Sequence, residues 1–359
     1  MGNTRSCILA INPGSTSTKI ALFENDEERF RTNIEHPAEE IAKYPTIGAQ
    51  YEMRKSAVLQ ALTEAGHSLD SLSAIAARGA CLPPLQGGAY RINQAMVDLI
   101  RNRPLIEHAS NVSPLIAYEL GEKQGIPSFI YDAISVDELD DLARVTGLPD
   151  LPRASISHAL NMRAMARKAA ALAQRDYDAM NIIVTHLGGG ITSSIHSGGR
   201  MIDIVSDDEG TFSPERAGKA PSVRLVDLCF SGQFDHATMR KKVRGKGGLL
   251  AHTGTSSAVE IERRIAAGDQ AAARIYEAMA YQIAKDIGSL ATVCHGKVDV
   301  IVLTGGIAHS TLLTNWIAER VAFIAPVRLL AGENELESLA LGVARVLRGE
   351  EPAHEFDFV

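Results

Sequence analysis

Aromatic side chains are scarce in this sequence, making up 5% of 359 residues with a single tryptophan. Any core must therefore be aliphatic, and the 45% hydrophobic content supplies enough material for one. Cysteine is scarce as well. Cys7, Cys81, Cys229 and Cys294 lie far apart in apolar contexts, with no CxxC pair and no evenly spaced framework, which points to a reduced, cytoplasmic setting. Basic charge is not in excess: 36 Lys and Arg stand against 43 Asp and Glu, for a net charge of −7. Nucleic acid and anionic membrane surfaces are thereby argued against as partners, since both require a basic face. No apolar run approaches the ~18 residues of a membrane span, and no charged-then-apolar leader opens the chain. The opening "MGNTRS" satisfies a myristoylation pattern through Gly2 and Ser6, but a strand expected from Cys7 leaves little free arm, so the match is read as chance. The length suits two lobes at about 150 residues each.

What is present is glycine in ordered places. "CILAINP" reads as a strand and "KIALFE" resumes one after a run of hydroxyls, with Asp26 to Arg29 as a charged turn. Helical patterns follow at Ile47–Ala65, Asn93–Arg101 and Pro114–Lys123. Between them "AIAARGACLPPL" is a strand ending in a Gly/Pro loop, and "PSFIYDAISVDEL" is a short strand with Asp132 at its carboxyl end. Pro149 and Pro152 bracket a lobe boundary near residue 150. An Ala-rich helix follows, with Ser155 or Ser157 available as its cap. "SSAVEIERRIAAG" carries a capping box from Ser257 to Glu260. A long amphipathic helix runs to about His295. "VDVIVLTGGIAHSTLLTNWIAERV" is strand, Gly-Gly, helix, and a last helix over about Leu336 to Arg348 precedes a polar tail.

The stretch "INPGSTSTKIALFE" is close to a phosphate loop but fails as a Walker A motif. It has no second glycine beside Lys19, and it leads into a strand instead of a helix N-terminus. The unit is a hairpin tipped by Gly14 to Thr18, whose hydroxyls and N–H groups can donate to phosphate oxygens. One such hairpin is an ordinary polar turn. A second copy, "IVTHLGGGITSSI", occurs from Ile183 to Ile195 and implies two similar α/β lobes facing a cleft. Gly305-Gly306 adds a third glycine turn, where backbone can approach a flat ligand.

In that order, "INPGSTSTK", "HLGGG" and "VLTGGIAHS" resemble the acetate and sugar kinase, heat-shock chaperone and actin superfamily. Within it the chain resembles the butyrate kinase branch of the acetate kinase family, through "GGAYRIN", "HASN", "ISHALN", "SPERAG", "RGKGGLLAHTGT" and "GENELESLALG" as well. The resemblance implies an α/β fold of two ribonuclease-H-like lobes around a nucleotide-binding cleft, the duplicated actin-like ATPase architecture, with the last helix returning to the first lobe, so that residues 1–150 with about 332–359 form one lobe and 151–331 the other. It implies ATP/ADP and Mg²⁺ as cofactors, a short-chain carboxylate as substrate, and reversible formation of an acyl phosphate. A homodimer or higher homo-oligomer is implied too, with hinges near Leu148–Arg153 and Ala331–Glu335.

The residue types suit that chemistry. A carboxylate is already anionic at neutral pH, so no general base is needed; positive charge is, because two anions must meet. By resemblance, Arg216 stabilises the transferring phosphoryl, Arg78 meets substrate, and His158 hydrogen-bonds the phosphoryl group. Taken singly, Arg216 beside Glu215 reads as a surface charge and His158 as a core histidine. Arg78 is harder to dismiss, since an arginine ending an apolar strand is costly without a partner. His186 reads as structural. Asp132 and Glu335 match the two acids that place Mg²⁺, which needs only one or two carboxylates. Asn12 with Ser15, Thr16 and Ser17 would position phosphate, Gly188, Gly189 and Gly190 the β-phosphate, and Gly305, Gly306 and Ile307 the nucleoside. Arg78, Asn111, Ser157 and Pro214 would line the acid pocket.

Two departures bear on the acid. An aromatic ring is expected before His158, where Ser157 stands, and "RGGL" is expected where Arg78-Gly79-Ala80-Cys81 stands. Losing a ring enlarges the pocket or makes it more polar, but a methylene-sized contact changes discrimination only ~10–200-fold. Butyrate, propionate and branched acids all remain open. The basic run around Lys241–Gly248 reads either as a solvated hinge face or as a mobile loop near the cleft. The alternatives from other classes are a sugar or polyol kinase, which needs an aspartate base, and a non-catalytic nucleotide-switched module.

Overall fold

The computed structural model describes residues 6–357, so the Gly2 of the myristoylation pattern lies outside the described residues. The chain divides into two compact units. One runs to Asp137 and resumes at Asn334; the other is Glu138–Glu333. The first crossing precedes Pro149 and Pro152 because the intervening segment is tied to the second unit. Glu138 pairs with Arg163 at 2.7 Å and accepts from the Met201 N–H at 2.9 Å, while the Asp140 N–H donates to Ile202 O at 2.9 Å.

The first unit opens with β1 (Cys7–Pro13), β2 (Ser17–Glu24) and β3 (Glu27–Glu35), an antiparallel meander. β4 (Ala74–Arg78), β5 (Ala89–Arg91) and β6 (Ser128–Tyr131) follow, and β12 (Ala353–Glu355) closes the chain. They form one sheet in the order β12-β5-β6-β4-β1-β2-β3, in which β1, β4 and β6 run parallel. The charged turn expected over Asp26–Arg29 is shorter than read. Asn25 and Asp26 make it with positive φ, and Glu27 already starts β3. Phe30, Thr32 and Ile34 alternate there with exposed charges, the pattern of a solvated edge strand. The expected polar tail is likewise corrected. β12 pairs with β5, and Phe356 is buried in the same core as Leu9, Ile75 and Ile116.

The second unit contains β7 (Ile182–Leu187), β8 (Ile191–Ser197), β9 (Arg200–Val205), β10 (Val300–Gly305) and β11 (Val327–Ala331). Its sheet order is β11-β10-β7-β8-β9, with β7, β8 and β9 antiparallel and β10 parallel to both β7 and β11. The layout repeats that of β6-β4-β1-β2-β3: a three-stranded meander whose first strand is flanked by two parallel ones. The fold is thus mixed α/β, with a ribonuclease-H-like sheet occurring twice as in actin-like ATPases.

The Ala-rich helix is Ala159–Leu172, and its N-cap position is His158 without a side-chain cap. Neither serine serves as the expected cap; the buried Ser157 hydroxyl turns to Met201 Sδ at 3.9 Å instead. At Ser257 the hydroxyl accepts from the Glu260 N–H, but the Glu260 carboxylate goes to Arg263, so only half of the capping box forms. Among the described residues no helix is long and apolar enough to cross a membrane.

Candidate functional site

In the first unit the functional side chains gather at the carboxyl ends of β1, β4 and β6, where parallel strands in α/β sheets collect ligands. Asn12 stands near the end of β1, Arg78 ends β4, and Asp132 follows β6. Glu335 begins the helix Glu335–Leu347 and joins two of them: Oε1 accepts from Arg78 Nη1 at 2.8 Å and Oε2 from Asn12 Nδ2 at 2.5 Å. Arg78 is nearly buried, which normally demands neutralisation. It spends only Nη1 on the ion pair, leaving Nε and Nη2 without a protein acceptor among the described residues.

Asp132 is buried in a left-handed conformation, φ 41°, favoured among non-glycine residues for aspartate. Reciprocal bonds with Gly88 hold it: the Gly88 N–H donates to Oδ1 at 2.8 Å and the Asp132 N–H to Gly88 O at 3.1 Å. Gly79 matters for close approach, because a Cβ there would collide with Ala133. The Arg78 and Asp132 loops are thereby pressed together. Asn111 is buried with both amide ends on backbone, accepting from the Cys81 N–H at 3.1 Å and donating to Ile106 O at 2.7 Å. It therefore shapes the loop after Arg78.

The tip of the β1–β2 hairpin carries exposed Ser15 and Thr16 and half-buried Ser17, while Lys19 is exposed on β2. Beneath it lies a residue that the sequence reading passed over. Arg54 is fully buried and hydrogen-bonded to the hairpin. Its signal was present, since Arg54 shares the buried stripe of its helix with Val58 and Leu62 at spacing four.

The second unit presents its own cluster. The β7–β8 turn closes through the Gly188 N–H to Gly190 O at 3.2 Å, and Ser213 Oγ donates to Gly189 O at 2.7 Å. A Cβ on Gly189 would meet nothing, whereas one on Gly190 would strike the Arg216 guanidinium, which lies over the turn. Gly305 has φ 91° and passes Leu187 O too closely for any side chain. Gly306 is open, and Ile307 is half-buried beside it.

Arg216 pairs with Asp207, which Arg244 also reaches at 3.3 Å. Burial first, and Arg244 second, draw the Arg216 guanidinium down to about 10, so it stays charged at neutral pH. The basic segment is two helices, His236–Val243 and Gly248–Thr253, and the turn that joins them is bonded to the Arg216 loop. The N–H groups of Gly245 and Gly247 donate to Glu215 O at 2.8 and 3.1 Å. Pro214 is buried in the same loop and accepts from the Leu250 N–H.

His158 stacks on His186 with centroids 4.0 Å apart and planes 14° from parallel. His186 Nδ1 is 2.9 Å from Asn161 Oδ1, and His158 Nδ1 is 2.9 Å from Thr192 Oγ1. The Thr192 hydroxyl also reaches Met162 Sδ at 3.4 Å, so this threonine ties the His158 ring to the helix that follows it. Asn161 and Thr192 carry no role in the sequence reading, and His186 is read there as structural. Nothing but contact geometry distinguishes them from other core polar residues.

Among the described residues no group of three or more His, Cys, Asp or Glu is arranged to hold a metal. Asp132 and Glu335 offer one carboxylate each, which is the donor set Mg²⁺ tolerates when water and phosphate complete its shell.

Residues 156–324 match the model of the Acetokinase family. The chain is 45% identical over 351 residues to "Butyrate kinase 2" of Clostridium acetobutylicum, covering 97% of this chain and 99% of that protein. In structure it is similar to the acetate kinase of Porphyromonas gingivalis, with TM-score 0.77 and 19% identity over 94% of this chain and 99% of the other. It is similar also to a propionate kinase from Francisella tularensis, with TM-score 0.72 and 18% identity over 93% and 98% of the two chains.

Proposed function

Since this chain belongs to the acetokinase family and is a short-chain carboxylate kinase, we propose that it moves the γ-phosphoryl of ATP reversibly onto butyrate or a related straight or branched acid, giving an acyl phosphate and ADP. The observation that carries this reading is Arg78: a nearly buried guanidinium at a strand end, with one nitrogen paired and two still able to fork a carboxylate. The acid's own carboxylate oxygen attacks the γ-phosphorus, so no base takes part, and the phosphoryl passes in line to it from ADP.

Arg216 and the His158 imidazole stabilise the charge that spreads over the equatorial oxygens. The Gly188–Gly190 turn holds the β-phosphate, and Gly305, Gly306 and Ile307 meet the nucleoside. Asn12 and the hydroxyls of Ser15, Thr16 and Ser17 hold phosphate in the first unit. Asp132 and Glu335 would hold Mg²⁺, which would neutralise phosphate charge when bound. Arg78, Ser157 and Pro214 contact the acid, and Asn111 sets the Arg78 loop. The enzyme works in the cytoplasm as a homodimer or larger homo-oligomer. Support for assembly comes from helix Ser222–Cys229, which buries no residue and is followed by an 87% exposed Phe230.

The test is hydroxylamine trapping of acyl phosphate, with ATP and Mg²⁺, across linear and branched acids of two to six carbons. A hydroxamate from butyrate or a near relative is expected. Silence over the whole panel rejects the reading.

A further inference from the structure

One buried charge in the first unit belongs to no ion pair. Arg54 has 0% exposure, and among the described residues no carboxylate pairs with it. All four of its hydrogen bonds go to neutral acceptors: Nε to Gln50 Oε1 at 3.0 Å, Nη1 to Ser17 O at 3.0 Å and Thr18 Oγ1 at 3.1 Å, and Nη2 to Ser15 O at 3.0 Å. A buried guanidinium is ordinarily neutralised by a carboxylate. Here dipoles solvate the cation without cancelling it. The adjacent His36, 2.8 Å from Thr18 Oγ1, is lowered by burial and by Arg54.

The consequence shows in the hydrogen bonds of the hairpin tip. Three successive tip carbonyls are taken: Ser15 O by Arg54, Thr16 O by the His36 N–H at 2.8 Å, and Ser17 O by Arg54 and the Gly14 N–H at 2.8 Å. The N–H groups of Ser15 and Thr16, and the hydroxyls of Ser15, Thr16 and Ser17, bond no protein group among the described residues. The tip therefore keeps N–H and hydroxyl donors unspent while three of its carbonyls are engaged, over a fixed positive charge. That polarity suits a phosphate and repels a cation.

We infer that Arg54 is a positioning residue for phosphate: its buried, unneutralised guanidinium forks the carbonyls of Ser15 and Ser17 and so leaves the N–H and hydroxyl donors of the hairpin tip to bind an anion. The inference rests on the hairpin being a phosphate element in the proposed reaction. A purely architectural arginine would fix the fold and leave phosphate affinity alone.

The experiment uses the full chain with Arg54→Lys and Arg54→Met. Lysine keeps the charge but cannot fork two carbonyls; methionine removes both. Inorganic phosphate is titrated calorimetrically into each protein, and the KM for ATP is measured at saturating butyrate alongside a melting curve. Phosphate affinity and ATP KM are expected to worsen roughly tenfold in R54K and roughly a hundredfold in R54M, with the butyrate KM moving far less. Should R54M lack a cooperative melt, R54K decides alone. Unchanged phosphate affinity and ATP KM in a folded variant, with only a lower melting temperature, overturn the inference. The calorimetric arm reads the hairpin even if no acid is phosphorylated, so it separates this inference from the reaction assignment.

Discussion

Arg78 and Glu335, 257 positions apart in sequence, are joined by a 2.8 Å ion pair that leaves most of the guanidinium's donors unspent. The pair orients the arginine without exhausting it. Arg78→Lys should therefore keep the fold and the charge yet lose the fork, raising the KM for the acid about 10–100-fold while the ATP KM stays near its original value. Initial rates with the two substrates varied separately give both constants.

Glu335→Gln keeps the shape and removes the charge. The variant should need roughly tenfold more Mg²⁺ for half-maximal rate, and its turnover at saturating Mg²⁺ should fall too, because Arg78 loses the partner that aims it. A Mg²⁺ titration at fixed ATP measures this. An unaltered Mg²⁺ requirement would remove Glu335 from metal placement.

Gly190 and Arg216 should behave as one unit. Gly190→Ala drives a methyl into the guanidinium, so the single substitution should cost nearly as much turnover as Arg216→Ala, for which a loss of ~10³–10⁵ is expected by analogy with arginine fingers. In the Arg216→Ala background the alanine at 190 should cost almost nothing more. Additive losses in this double-mutant cycle would refute the coupling.

Thr192→Val removes the hydroxyl that holds the His158 ring at Nδ1 and leaves an isosteric methyl. Turnover should drop by roughly tenfold to a hundredfold with both KM values unchanged. Its melting temperature should shift little.

His196 gives a pH signature of stability. It is buried, and burial together with Arg163 and Arg167 lowers it from 6.5 to about 3; Tyr177 and Ser194 hydrogen-bond the ring. Above pH 6.5 the ring is neutral both folded and unfolded and makes no pH-dependent contribution. As pH falls from 6.5 toward about 3, only the unfolded chain takes the proton, so stability is lost in that window at up to about 1.4 kcal/mol per pH unit. Denaturant melts between pH 7 and 4 should show this slope, and His196→Asn should flatten it by about one proton.

Much of this architecture is legible in the sequence because period-two alternation and glycine turns report local backbone. Both hairpins, the Asp132 strand end and the Gly305-Gly306 turn follow from residues within a few positions of one another. β3 was missed because its charges looked like a turn, although its alternation was that of an edge strand. β12 was missed since a three-residue strand gains its identity only from pairing with β5. The same distinction holds in the candidate site. The resemblance supplied Arg78 and Glu335 one by one, but the ion pair that joins them is long-range, and so are the His158–Thr192 contact and the Arg54 fork.

Chain order also sets an order of assembly. The second unit is one continuous segment, Glu138–Glu333, while the first needs residues on both sides of it, down to β12 and Phe356. During synthesis from the N-terminus the inserted unit has all its strands before the outer unit has its last, since domains fold as their chains emerge. Glu335, the partner that Arg78 requires, leaves the ribosome after every residue of the inserted unit. Until then Arg78 stands at the end of an apolar strand without its carboxylate partner, so the first unit completes this ion pair only after the inserted unit has been made.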